Sequence, residues 1–256
     1  MSNATLFTSV AREYANFRPG YPPELFAWLA RVTPSREAVW DAGCGSGQAS
    51  VALAGYFSVV HATDVAAEQI AAAKPHPRVR YSVAPAEASG LPDRSVDLVT
   101  VAQALHWFDV EAFHIEAWRV SRPGAVVAVW TYPRPRFVDA ALDARFEDFY
   151  SNVVGPHWPP ERKHVDANYA TLPPFPEDLG YELLAAPEFG LTLEWTLPQV
   201  LGYVSSWSAT ARYQKANGTD PVPLLGAALA GIWPDSDARS PLRMPLGLKA
   251  ARLRAP

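Results

Sequence analysis

The chain has 256 residues, of which 49% are hydrophobic and 19% charged, and its net charge is −4. This composition fits one globular domain with a large core, and the absence of a Lys/Arg-rich run argues against nucleic acid as a partner. No apolar run reaches the length of a membrane span and no signal peptide is visible, so no membrane partner is expected. The single cysteine, Cys44, fits a reducing compartment and favours a cytoplasmic location.

The first half of the chain alternates helix-like and strand-like segments. Residues 22–32 place apolar side chains on one helical face behind two prolines, which predicts a first helix. Apolar runs typical of buried parallel strands follow at 39–42, 59–63, 79–84, 96–102 and 125–132. Helical segments are predicted between them at 47–55, 66–74 and 109–121. This alternation predicts a parallel α/β sheet with right-handed crossovers.

After residue 132 the pattern changes to segments rich in proline and aromatic residues. Helices are predicted at 137–150 and 198–213, and two further strands at 181–197 and 242–253. We predict a single domain with three parts, which are a cofactor lid (1–35), a core (36–132, 179–197 and 240–256) and a substrate cap (137–178 and 198–235). The aromatic side chains of the cap are expected to supply an apolar pocket for a small molecule.

The stretch VWDAGCGSGQAS, residues 39–50, runs from an apolar strand into a turn with glycine at 43, 45 and 47. Such glycines let a ligand approach the backbone closely and expose N–H groups to a carboxylate or phosphate. Ligands of open α/β sheets bind outside the carboxyl ends of the strands, where this loop is predicted to lie. The loop therefore predicts a nucleotide-like ligand.

The spacing around the loop distinguishes two ligand classes. A dinucleotide fingerprint needs glycine or alanine where this chain has the large Gln48. The carboxylate of Asp41 would repel a pyrophosphate but would attract the α-ammonium of a methionine-like ligand. Asp64, at the end of the second predicted strand, is suited to accept both hydroxyls of a ribose, or to cap the helix that follows. These features favour S-adenosylmethionine over NAD.

An ordered set of motifs resembles the class I S-adenosylmethionine-dependent methyltransferases, in the type 11 branch that includes trans-aconitate-methyltransferase-like proteins. The motifs are YANFRPGYP (14–22), DAGCGSG (41–47), APAEASGLPDRSVDLVTVAQALHWFD (84–109), RVSRPGAVVAVW (119–130) and LGYVSSWSA (201–209). The resemblance implies a Rossmann-like sheet of seven strands, mostly parallel with the last antiparallel, helices on both faces, and a helical and loop cap.

The resemblance also implies roles for individual residues. Gly43 and Gly45 would hold the methionyl part and Asp41 would orient its ammonium group. Asp64, with Val65 beside it, would bind the ribose. The adenine edge would meet the N–H of Ala86 and the carboxylate of Glu87. The sulfonium and the methyl acceptor would be bordered by Gln103, His106 and Trp107, and the cofactor would be covered by Tyr14 and Arg18.

The function implied is transfer of the methyl group of S-adenosyl-L-methionine to an oxygen, nitrogen or carbon atom of a small molecule, which releases S-adenosyl-L-homocysteine. His106 is the candidate general base or, alternatively, a hydrogen-bonded residue of the pocket wall. No metal is expected, because the six histidines show no metal-ligand spacing. An NAD-dependent oxidoreductase and a non-catalytic scaffold of this fold remain as alternatives, and both a monomer and a homodimer fit the sequence.

Overall fold

The computed structural model describes residues 19–173, 175–235 and 237–254. The strands are β1 Ala38–Ala42, β2 Val59–Asp64, β3 Val79–Val83, β4 Val96–Ala102, β5 Ser121–Thr131, β6 Arg136–Phe137, β7 Tyr181–Leu183, β8 Phe189–Trp195 and β9 Ser240–Leu253. The α-helices are α1 Pro23–Val32, α2 Gln48–Leu53, α3 Ala67–Ala71, α4 Val110–Val120, α5 Ala140–Asp148, α6 Arg162–Asp166, α7 Leu197–Ser205, α8 Ser208–Asn217 and α9 Val222–Ala230. Among these helices none is both long and apolar enough to cross a membrane.

The chain divides into two compact units. The first, called here the sheet unit, contains residues 20–133, 163–189 and the chain from 245 onward. The second, called here the helical unit, contains the described residues of 134–162 and 190–244. Residues 163–178 of the predicted cap thus group with the sheet, and the assignment of a substrate cap stays a prediction.

The sheet unit has strand order β3-β2-β1-β4-β5-β9. The first five strands are parallel to one another, and β9 runs antiparallel to β5. Strand β7 adds to β9 on its other side. The predicted class is confirmed, a mostly parallel sheet with an antiparallel last strand. Since all five parallel strands point the same way, the loops after β1, β2, β3 and β4 meet at one edge.

The core lies on both faces of this sheet, because consecutive strand residues point to opposite sides. One face buries Trp40, Val99 and Val127 together with Phe113 of α4. The other face buries Val39, Leu98, Val126 and Trp130 together with Leu25 and Leu29 of α1.

Helix α4 begins at a cap in which the side chain of Asp109 accepts a hydrogen bond from the N–H of Ala112.

The helical unit has an aromatic core centred on Trp207. Its ring lies 5.3–5.8 Å from four other rings, those of Phe146, Tyr150, Trp158 and Tyr203. Arg162 stacks 4.4 Å over the ring of Trp158 and donates from Nε to the hydroxyl of Tyr150. Three of the aromatic side chains expected to line an open pocket therefore pack against one another, with Tyr150 and Trp207 buried and Trp158 half-buried.

Three element predictions were wrong in detail. The described residues form nine strands where seven were expected, because β6 was missed and the predicted strand 181–197 divides into β7 and β8. Pro187 lies in that gap, and proline has no N–H to donate to a sheet. The predicted helix 198–213 breaks into α7 and α8, because Trp207 takes extended backbone angles and caps α8 while its ring enters the aromatic core.

Candidate active site

The glycine loop after β1 has a conformation that requires its glycines. Gly43, Gly45 and Gly47 have φ values of 66°, 53° and 84°, in the left-handed region that favours glycine. A Cβ atom on Gly43 would lie 2.6 Å from Cβ of Ala104, and one on Gly47 would lie 2.1 Å from the hydroxyl oxygen of Tyr81. The loop is thus pressed against the segment that follows β4 on one side and against β3 on the other.

Gly45 differs from the other two glycines because its Cβ position is nearly open. The only atom of the described residues within 4 Å is Oε1 of Gln69, at 3.9 Å. That oxygen is buried and has no hydrogen-bond partner in the described part of the chain. An open glycine backbone beside a buried acceptor fits a ligand that carries a donor group, as the methionyl ammonium does. Gln69 was not predicted as a site residue from the sequence.

Asp64 lies directly beside this loop. One carboxylate oxygen accepts from the N–H of Gly45 at 2.8 Å and the other accepts from the N–H of Ala66 at 2.9 Å. A carboxylate has about four acceptor positions, so about two remain for the hydroxyls of a ribose. Burial raises the pKa of Asp64, against the opposing effect of these backbone hydrogen bonds. The ribose role is compatible with this geometry, but the alternative role as helix cap is wrong, because the N-cap residue of α3 is Ala66 and no side chain caps this helix.

Asp41 lies beneath the loop and is fully buried. Its two oxygens accept from the hydroxyl of Ser50 at 2.5 Å and from that of Thr100 at 2.9 Å. Burial raises the pKa of Asp41 to about 6, although both hydrogen bonds act in the opposite direction. The side chain is placed to act on a ligand through its charge and through the loop, so an effect on the ammonium group stays a prediction.

Val65 directly follows β2, beside the predicted ribose acid, and the predicted adenine-binding residues Ala86 and Glu87 lie on the loop after β3. Val65 is 63% exposed, an unusual position for an apolar side chain directly after a buried strand. Ala86 is buried, and the carboxylate of Glu87 accepts from the N–H of Asp109 at 2.9 Å. This bond connects the loop after β3 to the start of α4, and it occupies one acceptor position of Glu87.

Gln103 ends β4 in a left-handed backbone conformation, with φ of 59°. Its Oε1 accepts from the hydroxyl of Thr131 at 2.5 Å and its Nε2 donates to the carbonyl of Tyr132 at 3.2 Å. Non-glycine residues are held in this region at a cost of about 1–3 kcal/mol, and they gather at functional sites. The end of β5 therefore fixes the side chain of Gln103 at the same edge as the glycine loop.

His106 and Trp107 follow in a short 3-10 turn, Leu105–Trp107, and both are half-buried. Their ring centroids are 4.8 Å apart. Nδ1 of His106 lies 3.1 Å from the hydroxyl of Tyr169. Tyr169 was not predicted as a site residue from the sequence. Tyr169 is 63 residues away along the chain and belongs to no motif, so only the fold reveals this pair.

Tyr14 and Arg18, the predicted cover of the cofactor, lie outside the described residues. Cys44 is half-buried in the loop, and burial together with the carboxylates of Asp41 and Asp64 raises the pKa of its thiol well above the ordinary range. A thiol held in its protonated form is a poor nucleophile.

Comparisons with known proteins identify the family of the chain. Residues 40–129 match the family model of a methyltransferase domain. The chain is 33% identical over 239 residues to a protein of Dictyostelium discoideum named a methyltransferase, covering 92% of this chain and 89% of that protein. A solved structure named a type II methyltransferase, from Anaeromyxobacter dehalogenans, is 43% identical with a TM-score of 0.84, covering 94% of this chain and all of that one.

A more distant structure shares the fold. Phosphoethanolamine N-methyltransferase 2 of Haemonchus contortus, in complex with S-adenosyl-L-methionine, has a TM-score of 0.52 at 16% identity. The match covers 99% of this chain and 57% of that one. This likeness shows the fold alone.

Proposed function

Because the chain belongs to the class I S-adenosylmethionine-dependent methyltransferases, we propose that it methylates an oxygen, nitrogen or carbon atom of a small molecule by in-line displacement. The observation that carries the proposal is the hydrogen bond between Asp64 and the N–H of Gly45. It places a carboxylate with open acceptor positions against a glycine loop, where the ribose and the methionyl part of one ligand can be held together.

S-adenosyl-L-methionine, when bound, supplies a sulfonium methyl group that is already strongly electrophilic. We propose that Gly43, Gly45 and Gln69 hold its methionyl part, with Asp41 acting from beneath the loop. Asp64 accepts from the ribose hydroxyls, and the exposed Val65 covers one face of the adenine. The N–H of Ala86 and the carboxylate of Glu87 meet the polar edge of the adenine. Tyr14 and Arg18 are the candidates for covering the bound cofactor.

The other residues of the site act on the acceptor. Gln103, His106 and Trp107 belong to the segment after β4, in which Ala104 and Phe108 approach Gly43 of the glycine loop. Aromatic faces attract cations, so Trp107 is suited to border a sulfonium. His106 is suited to take a proton from an acceptor atom that must lose one. The main contribution of the protein is then in-line positioning and the exclusion of water.

Two arginines of the helical unit are already paired with carboxylates of the same unit, which bears on the recognition of an acidic methyl acceptor. Arg134 forms ion pairs with Asp143 and Glu147, and Arg136 pairs with Asp143. Their charges are compensated within the helical unit, so we propose neither Arg134 nor Arg136 as the group that recognises a carboxylate. A trans-aconitate-type acceptor, a cytoplasmic location and a monomeric or homodimeric state belong to the same proposal.

The experiment is calorimetric titration of S-adenosyl-L-homocysteine, with NADH as the competing ligand. We expect micromolar binding of the first and none of the second. Asp64→Ala is expected to weaken binding by at least about 100-fold, because two charge-assisted hydrogen bonds to the ribose contribute roughly 1.5–3 kcal/mol each. Binding of NADH, or unchanged affinity in Asp64→Ala, would overturn the cofactor assignment.

Asp97→Ala is the matched control for this titration. Asp97 is also a buried strand carboxylate that accepts from backbone N–H groups, those of Glu37 and Ala38 at 3.0 Å each. It lies at the amino end of β4, so its loss should affect stability but not affinity. The acceptor itself is found by screening small molecules for transfer of labelled methyl from S-adenosyl-L-methionine.

A further inference from the structure

Two consecutive residues of the sheet unit, Asn168 and Tyr169, have left-handed backbone conformations. Their φ values are 49° and 60°. A bulky aromatic residue in this region is a genuine outlier, and each such residue costs roughly 1–3 kcal/mol. Strain of this kind persists only where the surrounding structure enforces it, and it gathers at functional sites.

Three separate contacts hold this segment. The N–H of Tyr169 donates to the carbonyl of His164 at 2.7 Å, and Nζ of Lys249 donates to the carbonyl of Tyr169 at 2.6 Å. A Cβ atom on Gly247 would lie 2.6 Å from Cβ of Asn168, so the neighbouring strand carries glycine where the segment crosses it. Burial disfavours the charged form of Lys249 and lowers its pKa. The hydrogen bond to the carbonyl of Tyr169 partly compensates for the burial of this charge.

The consequence of this restraint is a fixed phenol group. The side chain of Tyr169 is 0% exposed, and its hydroxyl reaches Nδ1 of His106 at 3.1 Å. A neutral imidazole has one nitrogen that donates and one that accepts, and a phenol can pair with either kind of nitrogen. The strained segment therefore fixes the group that faces Nδ1 of His106, from outside every motif of the sequence.

We propose that Tyr169 is the positioning residue of the methyltransferase site, and that its phenol oxygen accepts the hydrogen on Nδ1 of His106. This leaves Nε2 unprotonated and able to take the proton of the methyl acceptor. The proposal rests on the proposed function, which places His106 beside that acceptor.

The acceptor atom forms a bond to the methyl carbon, the electron pair of the broken carbon–sulfur bond stays on sulfur, and the proton of the acceptor goes to Nε2 of His106. In the resulting imidazolium both nitrogens carry hydrogen, so the bond from Nδ1 to Tyr169 is kept throughout. The opposite arrangement, with the phenol donating to Nδ1, would put the hydrogen on Nε2 and leave no base.

The test uses the full chain with ¹⁵N-labelled histidine, saturated with S-adenosyl-L-homocysteine, and reads the tautomer of His106 from the ¹⁵N shifts of its ring. His106→Gln identifies the signals among the six histidines. The wild type should hold mainly the Nδ1–H form. Tyr169→Phe keeps the buried ring and removes the oxygen, and should lower the ratio of Nδ1–H to Nε2–H about fivefold, which is the effect of one hydrogen bond of about 1 kcal/mol.

Tyr181→Phe is the matched control. Tyr181 is also a buried tyrosine of the sheet unit, and its hydroxyl donates to the carbonyl of His114. This variant should leave the tautomer of His106 unchanged. A wild type with hydrogen mainly on Nε2, or equal tautomer ratios in the wild type and Tyr169→Phe, would overturn the proposal. Failure of the proposed function would show separately, as absence of S-adenosyl-L-homocysteine binding.

Discussion

At the residue scale, charge and spacing selected the acidic residues of the site, but their surroundings come from distant parts of the chain. Asp41 was selected for its position before the glycine loop. One of its two hydrogen bonds comes from the hydroxyl of Thr100, 59 residues away, which the sequence pattern does not connect to it. The requirement for Gly47 likewise comes from Tyr81 on β3. Motif spacing thus predicts which residues gather, and tertiary contacts decide what each one touches.

The buried carboxyl of Asp41 predicts an unusual dependence of stability on pH. Burial raises its pKa from 3.8 to about 6 in the folded chain. Between these values the native state binds the proton more tightly than the unfolded state, so this group lowers stability as pH rises. The total effect is about 3 kcal/mol. In Asp41→Asn this fall is absent, so the unfolding free energy of the variant relative to wild type should increase from about pH 4 to about pH 7.

Urea denaturation over this pH range measures the effect, and Asp143→Asn provides a control of opposite sign. Burial acts to raise the pKa of Asp143, but the hydrogen bond and charge of Arg134 lower it overall. Its stabilisation is present above the unfolded pKa and lost in acid, so this variant should become relatively less stable as pH rises. Parallel pH profiles for the two variants would contradict the assignment for Asp41.

At the element scale, the central strands β1 and β4 were predictable because both of their faces are buried and their sequences are nearly continuous apolar runs. Strand β3 lies at the edge of the sheet with Val79 as its one buried residue, and yet all four strands β1 to β4 lie within one residue of their predicted ends. The later elements follow tertiary packing instead. Trp207 interrupts a helical pattern because its ring belongs to the aromatic core, and a periodicity argument has no means of detecting that.

Helix α4 is predicted to control cofactor affinity from a distance, because it holds the loop after β3. Oε1 of Glu116 accepts from the N–H of Ser89 at 2.8 Å and from its hydroxyl at 2.5 Å, and Arg119 donates to the carbonyl of Leu91 at 2.8 Å. Glu116→Ala leaves these buried donors without an acceptor. It should lower stability by about 2 kcal/mol and weaken binding of S-adenosyl-L-homocysteine roughly tenfold.

Glu111→Ala is the control on the same helix. Glu111 is exposed in the first turn, so its loss should cost at most about 1 kcal/mol through the helix dipole and leave the affinity unchanged. Denaturation and calorimetry on both variants give the comparison. Unchanged affinity in Glu116→Ala, despite the lower stability, would mean that the adenine loop is held by other contacts.

At the scale of the whole molecule, the strand order decides where a ligand must act. The order β3-β2-β1-β4-β5 with all strands parallel brings loops that are distant in sequence to one edge, and brings the turns before the strands to the opposite edge. The fold class was predictable because this alternation of strand and helix allows few topologies. The pairing of Tyr169 with His106 was not predictable, because it depends on how a loop of the second half returns to that edge.

This topology predicts a pattern of hydrogen exchange across the sheet unit. Saturation with S-adenosyl-L-homocysteine should slow exchange together in three separate segments, around residues 43–47, 64–66 and 86–87, because one ligand contacts the carboxyl ends of three neighbouring strands. The turns that precede β1, β2 and β3, around residues 34–37, 56–58 and 76–78, are the internal control and should exchange at unchanged rates. Protection of both edges alike would indicate general stabilisation. Protection of one segment alone would contradict a ligand that spans β1, β2 and β3, and with it the shared cradle for the methionyl, ribose and adenine groups.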